Sequence, residues 1–141
     1  MMDAASFVSQ FRRDPPGPAE TIEKLYGVGF WLYGQERYAD AALAFRTMLR
    51  TAPNDERSWL ALGACHEQIN QLRIALELYG AGTAAVPGSV RCQIARSRIL
   101  RQFKRDIESD QALEAASELA DTQGDPTMIE LIAAERQNPC P

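Results

Sequence analysis

Apolar residues recur at spacings of three and four along most of this 141-residue chain, and that period belongs to helices. In "AETIEKLYGVGFWLYGQ" the positions Ile22, Leu25, Val28, Gly29 and Leu32 share one side. In "RYADAALAFRTMLRTAP" the stripe is Tyr38, Ala41, Phe45, Met48 and Leu49, and Asp40 sits in a first turn, where the helix dipole favours an acid. "NDERSWLALG" opens a further helix, with Asn54 or Asp55 as its N-cap and Glu56 behind it. Pro53 and Pro87 each end the helix before them, because proline lacks the amide hydrogen and crowds the preceding turn. The spacing predicts an all-α chain.

Glycine inside a helix costs about 1 kcal/mol relative to alanine. Yet "WLALGACHEQ" carries Gly63 in mid-helix, and Gly29 holds the matching place 34 residues earlier. At that shift Leu25 falls on Trp59, Tyr38 on Leu72, Ala41 on Ala75, Phe45 on Tyr79 and Pro53 on Pro87. The pattern resembles the tetratricopeptide repeat, a unit of two antiparallel helices, A and B. The resemblance implies that Gly63 admits close approach of the partner helix near Ala75, and that Gly29 and Ala41 do the same. A third, divergent copy runs from Val90, with Gln93 for Trp59, Ser97 for Gly63 and Ser109 for Ala75, while Leu100, Leu113 and Ala116 keep the apolar stripes. The expected repeats are 22–55, 56–89 and 90–123, within a domain of 20–141. "GDP" at 124–126 then breaks the chain, and "PTMIELIAAERQ" reads as a capping helix over 126–137 with proline at its first position.

In such a stack the A helices line the concave side. The positions left facing it are Glu23, Tyr26, Phe30 and Tyr33, then Arg57, Leu60, Ala64 and Glu67, then Arg91, Ile94, Arg98 and Arg101. The first helix is apolar on two faces, so one face is free to hold a ligand. The expected peptide-binding groove is Tyr26, Phe30, Tyr33, Leu60, Ala64, Glu67, Ile94, Arg98 and Arg101, aromatic at one end and basic at the other. Arg96, Lys104 and Arg105 read as a solvated face.

Composition narrows the function. A net charge of −4 argues against a nucleic-acid partner, and no apolar run approaches the roughly 18 residues of a membrane span. The first residues, "MMDAASFVSQFRRDPPGP", have an acid and no long apolar core, unlike a secretory signal. Cys65, Cys92 and Cys140 have no metal or disulfide spacing, which suits a cytoplasmic protein with reduced thiols. His66 reads as a packed structural residue and Cys65 as a small apolar filler. No nucleophile–base set, phosphate loop or metal cluster is visible, so no enzyme activity, metal or cofactor is expected. In the N-terminal segment 1–19, Phe7, Val8 and Phe11 form an apolar stripe that "DPPGP" separates from the repeats. It is expected to dock on a neighbouring subunit, giving a homodimer, or back on the repeats.

Two stretches carry a closer likeness. "LYGVGFWLYGQERYADAALAF" (25–45) and "NDERSWLALGACHEQINQLRIALELYGAG" (54–82) resemble the class II, or translocator, chaperones of bacterial type III secretion. The likeness covers about 20–120. It implies a cytoplasmic bacterial chaperone that holds hydrophobic translocator proteins before export, binding an extended segment near the client's N-terminus in the concave groove, with Tyr26, Phe30, Tyr33 and Leu60 as its apolar pockets. The short, proline-broken N-terminal segment and the arginine-rich third repeat depart from that family. Another tetratricopeptide scaffold or a needle-subunit co-chaperone is the alternative. A carboxylate clamp needs lysine and asparagine in the first groove helix, where this chain has Tyr26 and Phe30.

Overall fold

The computed structural model describes residues 17–137. The segment carrying Phe7, Val8 and Phe11, and Cys140, lie outside the described residues. Among those residues there are seven helices: α1 (Pro18–Gly34), α2 (Tyr38–Thr51), α3 (Glu56–Gln68), α4 (Leu72–Ala85), α5 (Val90–Gln102), α6 (Asp106–Gln123) and α7 (Pro126–Gln137). They pair as antiparallel hairpins α1/α2, α3/α4 and α5/α6, each stacked on the next, and α7 closes against α5 and α6. The fold is all-α and of tetratricopeptide type.

The helix ends follow from local chemistry. The Asp55 side chain accepts from the Arg57 backbone N–H at 3.0 Å, so Asp55 rather than Asn54 caps α3. Ser89 accepts from Cys92 N–H and caps α5, and Asp125 accepts from Thr127 and Met128 N–H at the start of α7. Each first helix of a hairpin ends on a left-handed residue: Glu36 (φ 60), Asn70 (φ 59) and Lys104 (φ 61), spaced by 34. The next amide in each case donates back five residues, Arg37 to Leu32 O, Gln71 to His66 O and Arg105 to Leu100 O. That bond closes the helix C-terminus. Of the three, only asparagine adopts this conformation readily, so the turn was not legible at Glu36 or Lys104.

The core explains the glycines differently from the sequence expectation. A Cβ on Gly29 would land inside the Phe45 ring, and one on Gly63 inside the Tyr79 ring. The glycine therefore clears an aromatic ring of the partner helix. Ala41 and Ala75, one turn before those rings on the same partner helices, are fully buried. Burying one such ring contributes about 2 to 3 kcal/mol. The third hairpin alters both members of the pair. Leu113 replaces the ring and Ser97 replaces the glycine. Ser109 Oγ donates to the Ser97 carbonyl at 2.9 Å and lies 2.9 Å from Ser97 Oγ, so two buried hydroxyls satisfy each other.

Around the rings, Ala41, Ala42, Phe45 and Met48 of α2 meet Leu62 and Cys65 of α3, and Ala75 and Tyr79 of α4 meet Ile99 of α5. Burial pushes the Cys65 thiol up to about 11 and raises Tyr79 further above its ordinary value, with the hydrogen bond to Glu67 adding to it.

Gly63→Ala is expected to cost about 1 to 3 kcal/mol by overpacking, and Tyr79→Leu in the same chain to relieve most of that added cost. Chemical denaturation of the four-member cycle measures this, and simple additivity would refute the ring-on-glycine contact. The raised acids also set an alkaline limit. Cys65 keeps its proton when folded and loses it near pH 9 when unfolded, so stability should hold below about pH 8 and fall from there toward pH 11. Melts across that range, with Cys65→Ala flattening part of the decline, are the check.

Candidate functional site

α1 and α3 lie side by side on the concave face. Helical spacing turns Tyr26, Phe30 and Tyr33 of α1 and Arg57, Leu60, Ala61 and Ala64 of α3 toward one cavity of about 580 Å³, which Phe45, Glu56 and Arg91 complete. The wall is aromatic. The Tyr26 ring lies 6.2 Å from both Phe30 and Phe45, and Tyr33 meets Tyr38 edge-on at 5.1 Å. Phe30 is 67% exposed, a large apolar side chain standing in water beside an apolar hollow. Tyr33 is held from across the groove, where Gln68 Nε2 donates to its hydroxyl at 2.9 Å.

The floor is ionic, and its charges are paired. Arg57 forks between Glu23 and Asp55, with Nη2 2.7 Å from each, and its guanidinium carbon stands 4.8 Å over the Tyr26 ring. These hydrogen bonds hold both carboxyls below their usual range and raise Arg57 above its own. Glu56 repeats the arrangement one hairpin on: Ser89 Oγ donates to it at 2.6 Å and Arg91 lies 3.9 Å away. The pairing of Glu23 with Arg57 was readable as opposite charges 34 apart at one repeat position. Phe45, Glu56 and Ala61 were not foreseen, because each belongs partly to the hairpin core or a helix end.

Of the groove residues expected from sequence, Tyr26, Phe30, Tyr33, Leu60 and Ala64 come together in this cavity. The other four do not join it. Glu67 accepts a short hydrogen bond from the buried Tyr79 hydroxyl. Ile94 is only 2% exposed, packed with Val90, Met128 and Ile132. Arg98 Nε donates to Glu135 at 2.7 Å, and Arg101 bonds to the Glu135 carbonyl at 3.5 Å. The physical reason is α7. Its Met128 and Ile132 need cover and find it on Val90 and Ile94, and Glu135 then meets both arginines. The chain's own last helix therefore buries Ile94 and engages Arg98 and Arg101, while Arg91 stays at the cavity. His66 is half-buried at the hairpin end, with Nδ1 2.7 Å from Gln71 Oε1.

Residues 32–99 match the tetratricopeptide repeat family model. The fold is thus of the tetratricopeptide type, and its first two A helices frame an aromatic groove. The low calcium response locus protein H of Yersinia pestis is 29% identical over 101 residues, 72% of this chain but only 60% of the relative's length. The chain thus matches less than two thirds of that curated relative. The type III secretion translocator chaperone SycD of Yersinia enterocolitica superposes with a TM-score of 0.75 at 23% identity, over 97% of this chain and 96% of SycD. SycD in complex with a peptide of the translocator YopD gives 0.65 at 26% identity, over 82% of this chain and 95% of that one. Three hairpins and a closing helix are thus an architecture shared with the translocator chaperones. Among the described residues, no helix is long and apolar enough to cross a membrane.

If α7 closes the third hairpin as described, Ile132→Ala should cost about 2 to 5 kcal/mol in a denaturant titration. A loss below about 0.5 kcal/mol, the range of ordinary surface changes, would mean that α7 is not seated there.

Proposed function

We propose that this chain is a cytoplasmic chaperone of a bacterial type III secretion system, which holds a hydrophobic translocator protein before export by gripping an extended client segment in the groove of Tyr26, Phe30, Tyr33, Leu60 and Ala64. The observation that carries this reading is the exposed Phe30 beside a hollow whose charges are already paired. An apolar wall with a floor of paired charges selects apolar side chains over charged ones. The related chaperone solved with a translocator peptide supports the choice of client. An extended segment suits the shape, since alternate side chains can enter the groove while the others face water. Holding such a segment keeps a membrane-active client from aggregating.

A few buried apolar anchors, less the cost of ordering the peptide, correspond to roughly micromolar affinity. Phe30→Ala and Tyr33→Ala should each weaken a peptide from the client's N-terminal region by about tenfold, with helix content kept. Leu62→Ala is the control and should cost about 2 to 5 kcal/mol of stability. Isothermal titration reads the first effect and thermal melts the second. Unchanged peptide binding by the folded groove variants would move the site off the concave face.

A further inference from the structure

Outside the groove, the largest anomaly is the outer face of α1. Val28 is 53% exposed and Trp31 59% exposed. The repeat shows what this face is built for. Shifted by 34, Val28 becomes Leu62 and Trp31 becomes Cys65, which are 3% and 0% exposed against α2. Shifted again, Trp31 becomes Ile99, fully buried against α4, and Val28 becomes Arg96, half-buried beside Gly80. In both later hairpins a preceding B helix covers this face. α1 is the first helix described, and its face has no such cover among the described residues.

The same arithmetic identifies a candidate occupant. Moving back by 34 from α2, the buried positions Ala41, Ala42 and Phe45 fall on Phe7, Val8 and Phe11. These are the apolar residues of the N-terminal segment, in the order and spacing of a B helix. Phe11 stands in register with Phe45 and Tyr79. The connection fits as well. Asp14, Pro15, Pro16 and Gly17 make a four-residue link, as 52–55 and 86–89 do between the later hairpins. α1 starts one turn earlier than the repeat register requires. The segment also ends one turn short of it, so together the two add about 12 Å along the axis, and five steps of about 3.1 Å from residue 13 to residue 18 cover that rise and the crossing of about 9 Å between helices. Asp14 falls in that link, so it need not be buried as Met48 is.

We propose that residues 4–13 dock in cis on Val28 and Trp31 as a surrogate B helix, Phe7, Val8 and Phe11 taking the places that Ala41, Ala42 and Phe45 hold against Leu62 and Cys65. The apolar stripe of the segment and the bare face of α1 thus cover each other.

Trp31 is the reporter. The full chain has two tryptophans, and Trp59→Phe leaves Trp31 alone. Its fluorescence should be blue-shifted and poorly quenched by acrylamide. Phe7→Asp with Phe11→Asp should red-shift it and raise quenching several-fold at unchanged helix content, whereas Phe11→Leu should keep the shielding. Fluorotryptophan NMR of the chain with Trp59 intact reads the same change at Trp31 independently. Equal quenching in the parent and the double aspartate variant would overturn the proposal. So would shielding that disappears on dilution together with a dimer-to-monomer transition in light scattering, since the occupant would then be a second copy.

Discussion

The structure depends on one steric bargain, an aromatic ring of the second helix laid over a glycine of the first. Phe45 covers Gly29 and Tyr79 covers Gly63. With a ring in place of a methyl-sized contact, the two helices share a large apolar surface without moving apart. Hairpin separation then fixes how the next hairpin stacks and how the A helices line up. The groove inherits its shape from this: Phe45 is at once the ring over Gly29 and part of the wall beside Tyr26. Site and core share a residue, so substitutions behind the groove can reshape it without touching its surface.

The electrostatics serve the same geometry. Arg57 joins Glu23 on α1 to Asp55 at the cap of its own helix, and so ties neighbouring A helices at their N-terminal ends. These side chains are largely in water, so the pairing adds little to stability. Its effect is on the groove, where each arginine of the floor is held by a carboxylate and the aromatic wall is the apolar surface left open.

How much of this was legible follows from what kind of information each feature needs. Helix positions and the hairpin order were readable because a 34-residue period makes each copy confirm the others. The aromatic half of the groove was readable because Tyr26, Phe30 and Tyr33 recur at helical spacing on a helix that already had a core stripe. Gly63 was recognised as a close-approach site for the partner helix near Ala75, but not the ring of Tyr79 as what fills it, since sequence offsets give levels along a helix and not the reach of a ring from one turn away. The errors at Ile94, Arg98 and Arg101 have another source. Repeat logic places them on the concave side, but which element covers them is decided by α7, which lies outside the repeat and has no counterpart to align with.

That last helix has a consequence for recognition. By seating Ile132 on Val90 and Ile94 and Glu135 on Arg98 and Arg101, α7 takes those residues of the third A helix out of the groove and leaves the first two A helices to form it. Two A helices about 10 Å apart leave a floor of roughly 20 Å, room for about six extended residues. On the proposed function, a client segment is read over a short word and its flanking sequence is free to vary. On that function, address length is a property of α7, far along the chain from the aromatic residues that read the word.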